Sequence, residues 1–185
     1  TRRIVAIWRA GAKLDRDAYR AKIDRETKEA ATPVEPGPLS AFDDGTLAVR
    51  FGQVWEPSTD AMIGGASTVT LTVVDRALRL AGDVKPGDKP EAWAGAMFMP
   101  GPSSFAPVAL SRTKGLAFSA TRVTGTGGVA VMVFTQAGGY TPGHRVVPLA
   151  AAPTRVQVSW QDLGIDPKDV TGIFLGRDTP GAFEL

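Results

Sequence analysis

Acidic side chains and a histidine are the groups with which this chain could bind a metal ion or catalyse a hydrolysis. The sequence has 19 aspartate and glutamate residues but a single histidine, His144. One imidazole cannot build the multi-histidine centre of a metal-dependent hydrolase, and the spacing of serines and aspartates around it does not indicate a catalytic triad. We therefore expect no catalytic site in this chain and predict His144 to be an exposed loop or strand-start residue.

Asp43 and Asp44 form a pair of adjacent carboxylates. On a strand they would point to opposite faces, so they do not suit a glycosidase, whose two carboxylates flank one cleft. The dipeptide Asp44-Gly45 favours a turn instead. Because oxygen ligands also suit calcium, a structural calcium ion at Asp43 and Asp44 is the minor alternative, and no other cofactor is expected.

The double glycine Gly64-Gly65 interrupts the segment WEPSTDAMIGGAST, which runs from Trp55 to Thr68. Successive glycines can form an anion-binding loop. Here no Gly-Lys-Ser/Thr follows, and a predicted strand takes the place of the helix that a phosphate loop needs. A structural role is therefore favoured, in which glycine permits a positive φ angle or a close crossing of the chain.

Aromatic side chains could stack on sugar rings, and the candidates are Trp55, Trp93, Trp160 and Tyr140. Aromatic residues of a β-sandwich lie mostly in its core. Tyr140 is the best exception, because the glycines before it and the Thr-Pro-Gly after it are typical of an exposed loop. If the chain binds a polar ligand, the residues that we predict to contact it are Gln136, Tyr140, His144, Arg145 and Trp93.

Length and composition exclude several other classes of protein. A chain of 185 residues suits one domain, with or without an appendage, and it can bury roughly 70% of its unfolded surface. The absence of cysteine excludes disulfides and thiolate metal sites. A net charge of +2 without a basic run argues against nucleic acid as a partner. No apolar stretch approaches the roughly 20 residues of a membrane span, and we expect neither a signal peptide nor a membrane partner.

Three segments organise the chain. Residues 1–31 begin with a predicted β-hairpin that turns at Ala10-Gly11. A helix is predicted after the hairpin, with Asp15 as its N-cap and Asp17 in its first turn. The proline-rich residues 32–40 are predicted to be a semi-rigid linker, and residues 41–185 are predicted to be the main domain.

Short β-rich runs separated by turn residues fill the main domain. The predicted strands are Leu47–Phe51, Thr68–Val74, Ala77–Asp83, Ala94–Met99, Gly115–Thr121, Val129–Thr135, Arg145–Leu149, Arg155–Ser159 and Gly172–Leu175, with the start of another in the final AFEL. Asp75-Arg76 is predicted to be a hairpin turn, and TGTGG at 124–128 a hairpin loop. This spacing, without intervening helices, predicts an all-β protein, an antiparallel β-sandwich whose sheets each have one buried face.

The segment around the double glycine resembles the complex I intermediate-associated protein family and the related galactose-binding-like, jelly-roll carbohydrate-binding modules. The matching residues are Trp55, Asp60, Met62, Gly64, Gly65 and Ser67, and weaker matches are FDDG at 42–45, WAGAMFMPG at 93–101, LSRTKGLAFSA at 110–120, RVQVSWQDLG and DVTGIFLG. The resemblance covers roughly residues 41–185. It implies a jelly-roll β-sandwich.

Residues before the linker resemble a different group. RIVAIWRAGAKLDRDAYR is similar to the last strands of metal-dependent amidohydrolases of the imidazolonepropionase-like group, a match that ends at about Arg20. Since the first residue is not methionine, we expect the chain to be the C-terminal part of a longer hydrolase. The sequence stops at Leu185, where the family usually continues into an aspartate-containing stretch, so the closing strand is expected to be incomplete.

Two functions follow from these resemblances. The first is a non-catalytic jelly-roll module that binds a carbohydrate or another polar small ligand. The alternative is a protein–protein assembly or oligomerisation domain that holds together the subunits of a parent metal-dependent amidohydrolase, whose catalytic barrel would lie outside this chain. The resemblance also favours a periplasmic or extracellular location.

Overall fold

The computed structural model describes residues 33–87 and 91–185, together with Trp8, Arg9, Ala12, Lys13, Asp15, Asp17, Ala18 and Ala21. Its strands are β1 (Trp8–Arg9), β2 (Ala12–Lys13), β3 (Glu56–Thr59), β4 (Thr68–Val74), β5 (Ala77–Val84), β6 (Ala94–Phe98), β7 (Gly115–Ala120), β8 (Gly128–Thr135), β9 (Gly143–Pro148), β10 (Thr154–Ser159), β11 (Val170–Arg177) and β12 (Gly181–Glu184). Every strand pairing is antiparallel. The all-β prediction is therefore confirmed.

The N-terminal hairpin is present in part. β1 and β2 pair so that Trp8 lies opposite Lys13 and Arg9 opposite Ala12. The predicted turn residues Ala10 and Gly11 lie outside the described residues. The carboxylate of Asp15 accepts hydrogen bonds from the backbone N–H groups of Asp17 and Ala18, both at 3.0 Å, which is the geometry of an N-cap. Most of the predicted helix lies outside the described residues.

The largest sheet has five strands in the order β3-β6-β11-β8-β9. β11 is central and almost fully buried along its length. β6 and β8 pair with its two sides, so that Ile173 lies between Phe98 and Val133. The edges are β3 and β9, and Pro57 fits an edge strand because proline cannot donate to a ladder.

Two smaller sheets account for the other strands of the main domain. One has the order β12-β5-β4, and the other pairs β10 with β7. β4 and β5 form the predicted hairpin, with Asp75 and Arg76 at φ angles of 50° and 60°. Two consecutive residues with positive φ define the turn that best matches the twist of a hairpin.

One hydrophobic cluster joins the three sheets. It takes Phe98, Val131 and Ile173 from the five-stranded sheet, and other members from β5, β10 and β12. Trp55 and Trp160 belong to this cluster, each about 6% exposed, with their indole N–H groups bonded to Ser40 and Thr113. An arrangement in which separate antiparallel sheets share a core is consistent with a sandwich, whereas the jelly-roll topology stays a prediction.

Three sequence-based assignments differ from the structure. Leu47–Phe51 is not a strand; Arg50 N–H donates instead to Leu39 O, and Gln53 N–H to Met99 O. β3 was not predicted, because it has only four residues and one of them is a proline, which cannot donate a backbone hydrogen bond. The loop 124–128 does not close a hairpin, since β7 pairs with β10 and β8 pairs with β9 and β11.

The segment predicted as a linker contacts the main domain. Val34 donates its backbone N–H to Ala109 O at 3.0 Å, and Val34 and Leu39 pack against the hydrophobic cluster. Within the described residues, no helix has the length and apolar character needed to cross a bilayer.

Candidate functional site

The Trp55-to-Thr68 segment folds around a buried carboxylate. Asp60 has no exposed surface and begins a 3₁₀ helix that ends at Ile63. Its two oxygens accept hydrogen bonds from Ser67, one from the backbone N–H at 3.0 Å and one from the hydroxyl at 2.7 Å. The Ser67 hydroxyl in turn accepts from Lys85 N–H at 3.0 Å. This network ties the loop before β4 to the loop that follows β5.

The two glycines serve this network in different ways. Gly64 caps the 3₁₀ helix with a φ of 88°, in the left-handed region that favours glycine. Gly65 makes room instead, because a β-carbon built there would lie 2.2 Å from Cγ of Asp60. Both observations agree with a structural role for the pair. The side chains of Asp60 and Ser67 bond only to each other and to Lys85 among the described residues, so both side chains are occupied by this network.

The five-stranded sheet has a second face that does not belong to the hydrophobic cluster. Strand alternation places Phe98, Val131 and Ile173 on the core side, and Met97, Met132 and Phe174 on the opposite side. We call this second side the outer face. Its members come from four strands and the residue before β6. They are Trp93, just before β6; Gly95 and Met97 on β6; Gly172, Phe174 and Gly176 on β11; Ala130, Met132 and Phe134 on β8; and His144 and Val146 on β9.

Glycines form the floor of the outer face. Gly95 and Gly176 lie opposite each other, and a β-carbon on either would come within 2.7 Å of Cζ of Phe174. At Gly172, a β-carbon would lie 3.3 Å from Sδ of Met97 and 3.6 Å from Cδ2 of Phe134. The ring of Phe174, which is 1% exposed, and the thioether of Met97 therefore lie over buried glycine backbone. The outer face is thus covered by aromatic and thioether groups rather than by a ridge of branched side chains.

Trp93 lies at the β3 side of this surface. Its indole N–H donates to Ser58 Oγ at 3.2 Å, and its carbonyl accepts from Asp60 N–H at 3.2 Å. Ser58 lies opposite Gly95 in the register of β3 and β6. The ring is half-buried, and the polar contact at its edge orients it on the outer face.

His144 lies at the other side of the outer face. It is opposite Met132, and its Nε2 is 2.8 Å from Oδ2 of Asp178, which directly follows β11. β8 lies between β9 and β11, so the contact passes over β8. The short side chain of Ala130 on this face of β8 leaves room for it, and Ala130 is 1% exposed.

The structure separates the predicted ligand-binding residues into three places. Trp93 and His144 lie on the outer face, at its two sides. Arg145 follows His144 and points to the opposite side of β9, where its guanidinium is 3.5 Å from Asp162. Gln136 and Tyr140 lie in the loop between β8 and β9, and Tyr140 is 98% exposed.

The loop that carries Tyr140 is fixed by its own backbone. Thr135 accepts from Gly138 N–H through its hydroxyl and from Gly139 N–H through its carbonyl, both at 3.0 Å. Ala137 N–H donates to Asp169 at 2.9 Å. The phenol ring is thus presented to solvent by an ordered turn, at the end of the sheet far from Trp93.

Asp43 and Asp44 have separate partners. Asp43 is 3.7 Å from the guanidinium of Arg76. Asp44 accepts from the backbone N–H and the hydroxyl of Thr46 at 3.0 and 2.9 Å, and these bonds hold the pKa of Asp44 below its usual value. In the described part of the chain, no three metal-ligating side chains converge. Calcium binding at Asp43 and Asp44 stays a prediction that no observed contact supports.

Sequence reasoning missed Asp178, Phe134 and Phe174. A signal for the aromatic residues is present in the strand sequences, because glycine and a large side chain alternate at every second position in WAGAM and GIFLG. Such alternation places both on one face of a strand. Asp178 carried no comparable signal, since its contact with His144 depends on the order of three strands.

The fold and this face define the chain as an all-β protein of antiparallel sheets with an apolar, glycine-floored outer face flanked by the contact between His144 and Asp178. Comparison with protein families, with curated proteins and with solved structures finds no match to the chain. The resemblances to jelly-roll modules and to amidohydrolases therefore remain predictions made from the sequence.

Proposed function

We propose that the chain is a non-catalytic binding module that holds a carbohydrate or a similar polar small ligand on its outer face. The observation that carries the proposal is the apolar cover of the outer face, in which Met97, Met132 and Phe134 are half-buried around the buried ring of Phe174 and lie over glycine backbone. A surface of aromatic and thioether groups suits the C–H face of a sugar ring. The sequence resemblance to jelly-roll carbohydrate-binding modules supports the same class of ligand.

Polar groups at the two sides of the face would bind the ligand's hydroxyls. His144 and Asp178 supply an imidazole and a carboxylate on one side, and Ser58 supplies a hydroxyl beside Trp93 on the other. β6 and β9 are separated by three strand spacings, about 14 Å at about 4.8 Å each. An oligosaccharide that crosses the strands would reach both sides.

A binding role is also favoured over catalysis by the surroundings of His144. Its one partner among the described residues is Asp178, and no described hydroxyl donates to it or accepts from it. Nucleophilic catalysis needs such a hydroxyl within hydrogen-bond reach of the base.

We propose further that the module belongs to a longer hydrolase of the amidohydrolase type. This proposal rests on the resemblance of residues 1–20 alone.

Two neighbouring substitutions test the location of the site. His144 and Arg145 are adjacent, both exposed, and each has one carboxylate partner, but they point to opposite sides of β9. After a glycan array has selected an oligosaccharide, calorimetry should show that His144→Ala weakens its binding at least tenfold, about 1.4 kcal/mol. Arg145→Ala should leave the affinity within twofold of the unmodified chain.

Other results would contradict the proposal. Equal losses in the two variants would place the ligand away from the outer face. If no glycan on the array binds, the carbohydrate proposal is wrong, and docking of this apolar face on a parent hydrolase becomes the better explanation. Phe134→Ala provides an independent check, because it removes apolar area from the face without changing a charge.

A further inference from the structure

Within the described structure, β4 is an edge strand with unpaired backbone groups. It pairs with β5 on one side only, and none of the described residues makes a backbone hydrogen bond to its other side. The opposite edge of the same sheet is covered, because Val123 and Thr124 donate their N–H groups to Glu184 O of β12. Among the described residues, the three-stranded sheet therefore has one edge covered by hydrogen bonds and one edge without a hydrogen-bonded neighbour.

The direction of the unpaired groups follows from Leu80. Its N–H and C=O both bond to Leu185, at 3.0 Å each, on the side away from β4. Leu71 lies opposite Leu80, so these two residues form a non-hydrogen-bonded pair, and the N–H and C=O of Leu71 point outward. The N–H and C=O groups of every second residue of β4 point outward in the same way. Val69, Leu71 and Val73 thus offer three donors and three acceptors along the edge.

The sequence of this edge is symmetric about Leu71. In TVTLTVV, Thr70 and Thr72 flank Leu71, and Val69 and Val73 flank them in turn. An antiparallel partner strand with the same sequence, centred on Leu71, would place valine opposite valine and threonine opposite threonine. Such like pairs of β-branched residues are favourable across antiparallel strands. The strand also lacks the charges and prolines with which edges are commonly protected.

We propose that β4 is a dimerisation strand, which pairs antiparallel with β4 of a second copy of this chain about a two-fold axis through Leu71. The pairing would join two three-stranded sheets into one sheet of six strands. It is a closed, isologous contact, because each edge is used once and no free edge of β4 remains to extend the assembly. The inference is independent of the proposed carbohydrate site, which lies on a different sheet.

The solvent-facing side of the strand allows this contact. Thr68, Thr70 and Thr72 are exposed, whereas Val69, Leu71 and Val73 are half-buried toward the core. In the pairing centred on Leu71, the outward groups of Leu71 bond to the partner's Leu71. Thr70 then forms a non-hydrogen-bonded pair with the partner's Thr72, in which Cα atoms are about 4.5 Å apart. β4 contains no charged residue, so the pairing brings no like charges together within the two strands.

Disulfide trapping tests the register, since the chain has no cysteine of its own. Cα atoms about 4.5 Å apart can be bridged, whereas diagonal neighbours about 7–8 Å apart cannot. A mixture of Thr70→Cys and Thr72→Cys chains, oxidised mildly, should therefore give a covalent dimer on a non-reducing gel. Each variant alone should give at least tenfold less. No cross-linked product in the mixture, or equal product in the separate samples, would rule out the pairing.

A charge test checks the dimer without covalent chemistry. Thr70→Glu with Thr72→Glu places like charges opposite each other across the contact, while Thr70→Lys with Thr72→Glu places opposite charges there. Both variants keep Glu at position 72, opposite Arg79 in the same chain. By light scattering the unmodified chain and the Lys/Glu variant should have twice the mass of the 19.4 kDa chain, and the Glu/Glu variant should have the single mass. A single mass for the unmodified chain, or identical masses for the two variants, would overturn the proposal.

Discussion

The carboxylate of Asp60 and residue Ser67 are joined by two buried hydrogen bonds, one to the serine N–H at 3.0 Å and one to its hydroxyl at 2.7 Å. No cation lies within ion-pair distance of Asp60 among the described residues. A buried carboxylate stabilised only by neutral donors is sensitive to the loss of any one of them. The contact between Asp60 and Ser67 therefore fixes the position of the loop that precedes β4.

Substitution of Asp60 tests this contact. Asp60→Ala should lower the free energy of unfolding by about 3 kcal/mol, because the Ser67 N–H loses its acceptor and a cavity forms. Asp60→Asn should be milder, since an amide keeps the volume and an acceptor oxygen. In a double-mutant cycle with Ser67→Ala, measured by urea unfolding, the coupling energy should be about 1–2 kcal/mol. Additive losses would show that the two residues act independently.

The neighbouring glycines should respond differently to the same change. Gly64→Ala should cost about 1 kcal/mol, because the position has a φ of 88° but an added β-carbon meets no atom within 4 Å. Gly65→Ala should cost about 3 kcal/mol, because the β-carbon would overlap the Asp60 carboxylate. Urea midpoints of the two variants measure the difference. Equal losses would mean that Asp60 can move away from its buried position.

Arg177 is a buried cation with an incomplete set of partners. It is 4% exposed, its Nε and Nη2 both donate to Thr179 Oγ1, and its Nη1 has no hydrogen-bond partner within the described structure. Burial lowers the pKa of its guanidinium. The ring of Phe183 lies 5.8 Å from the guanidinium carbon.

Replacement of Arg177 by an apolar side chain should therefore be tolerated. Arg177→Met is expected to change the free energy of unfolding by less than about 1 kcal/mol, because it removes a charge that is costly to bury. Thr179→Ala should lower it by about 2 kcal/mol, since the arginine stays and loses the one acceptor that it has among the described residues. Thermal unfolding in the same buffer compares the two. The reverse order of effects would indicate that Arg177 has a further partner.

Acid should weaken the turn after β10. The hydroxyl and the backbone N–H of Ser159 donate to Asp162 at 2.7 and 3.0 Å, and with the nearby Arg145 they hold the pKa of Asp162 below its usual 3.8. A carboxylate whose pKa is lower in the folded state stabilises the fold above pH 3.8, and this contribution is lost as the pH falls through the folded-state pKa.

Asp162→Asn removes the titrating group while keeping an acceptor. Between pH 5 and pH 2 its free energy of unfolding should therefore fall less steeply than that of the unmodified chain, as followed by urea unfolding. Asp75→Asn, which removes a carboxylate from the β4–β5 turn, is the control for a general change in charge. Parallel pH profiles for Asp162→Asn and the unmodified chain would show that this turn has no part in acid unfolding.

Local pattern was sufficient to place most strands. Thr68–Val74 is predicted with the same bounds that the structure shows, because its strict alternation and the turn at Asp75-Arg76 are properties of neighbouring residues. Predictions failed where the strand pattern was weak, or where the backbone of a strand-like segment forms its hydrogen bonds with residues outside the sheets. Glu56–Thr59 was missed because it is short and contains a proline, which is uncommon inside strands. Leu47–Phe51 has strand-forming residues, but its backbone bonds to irregular segments instead.

The amino-acid sequence alone is enough to predict the all-β class, the position of most strands, the exposure of Tyr140 and a structural role for Gly64-Gly65. These depend on side-chain alternation, turn chemistry and glycine conformation, which act over a few residues. The contact between His144 and Asp178, 34 positions later, depends on the tertiary fold. It requires β9, β8 and β11 to lie side by side, and that order is set by which distant strands bury their apolar faces together.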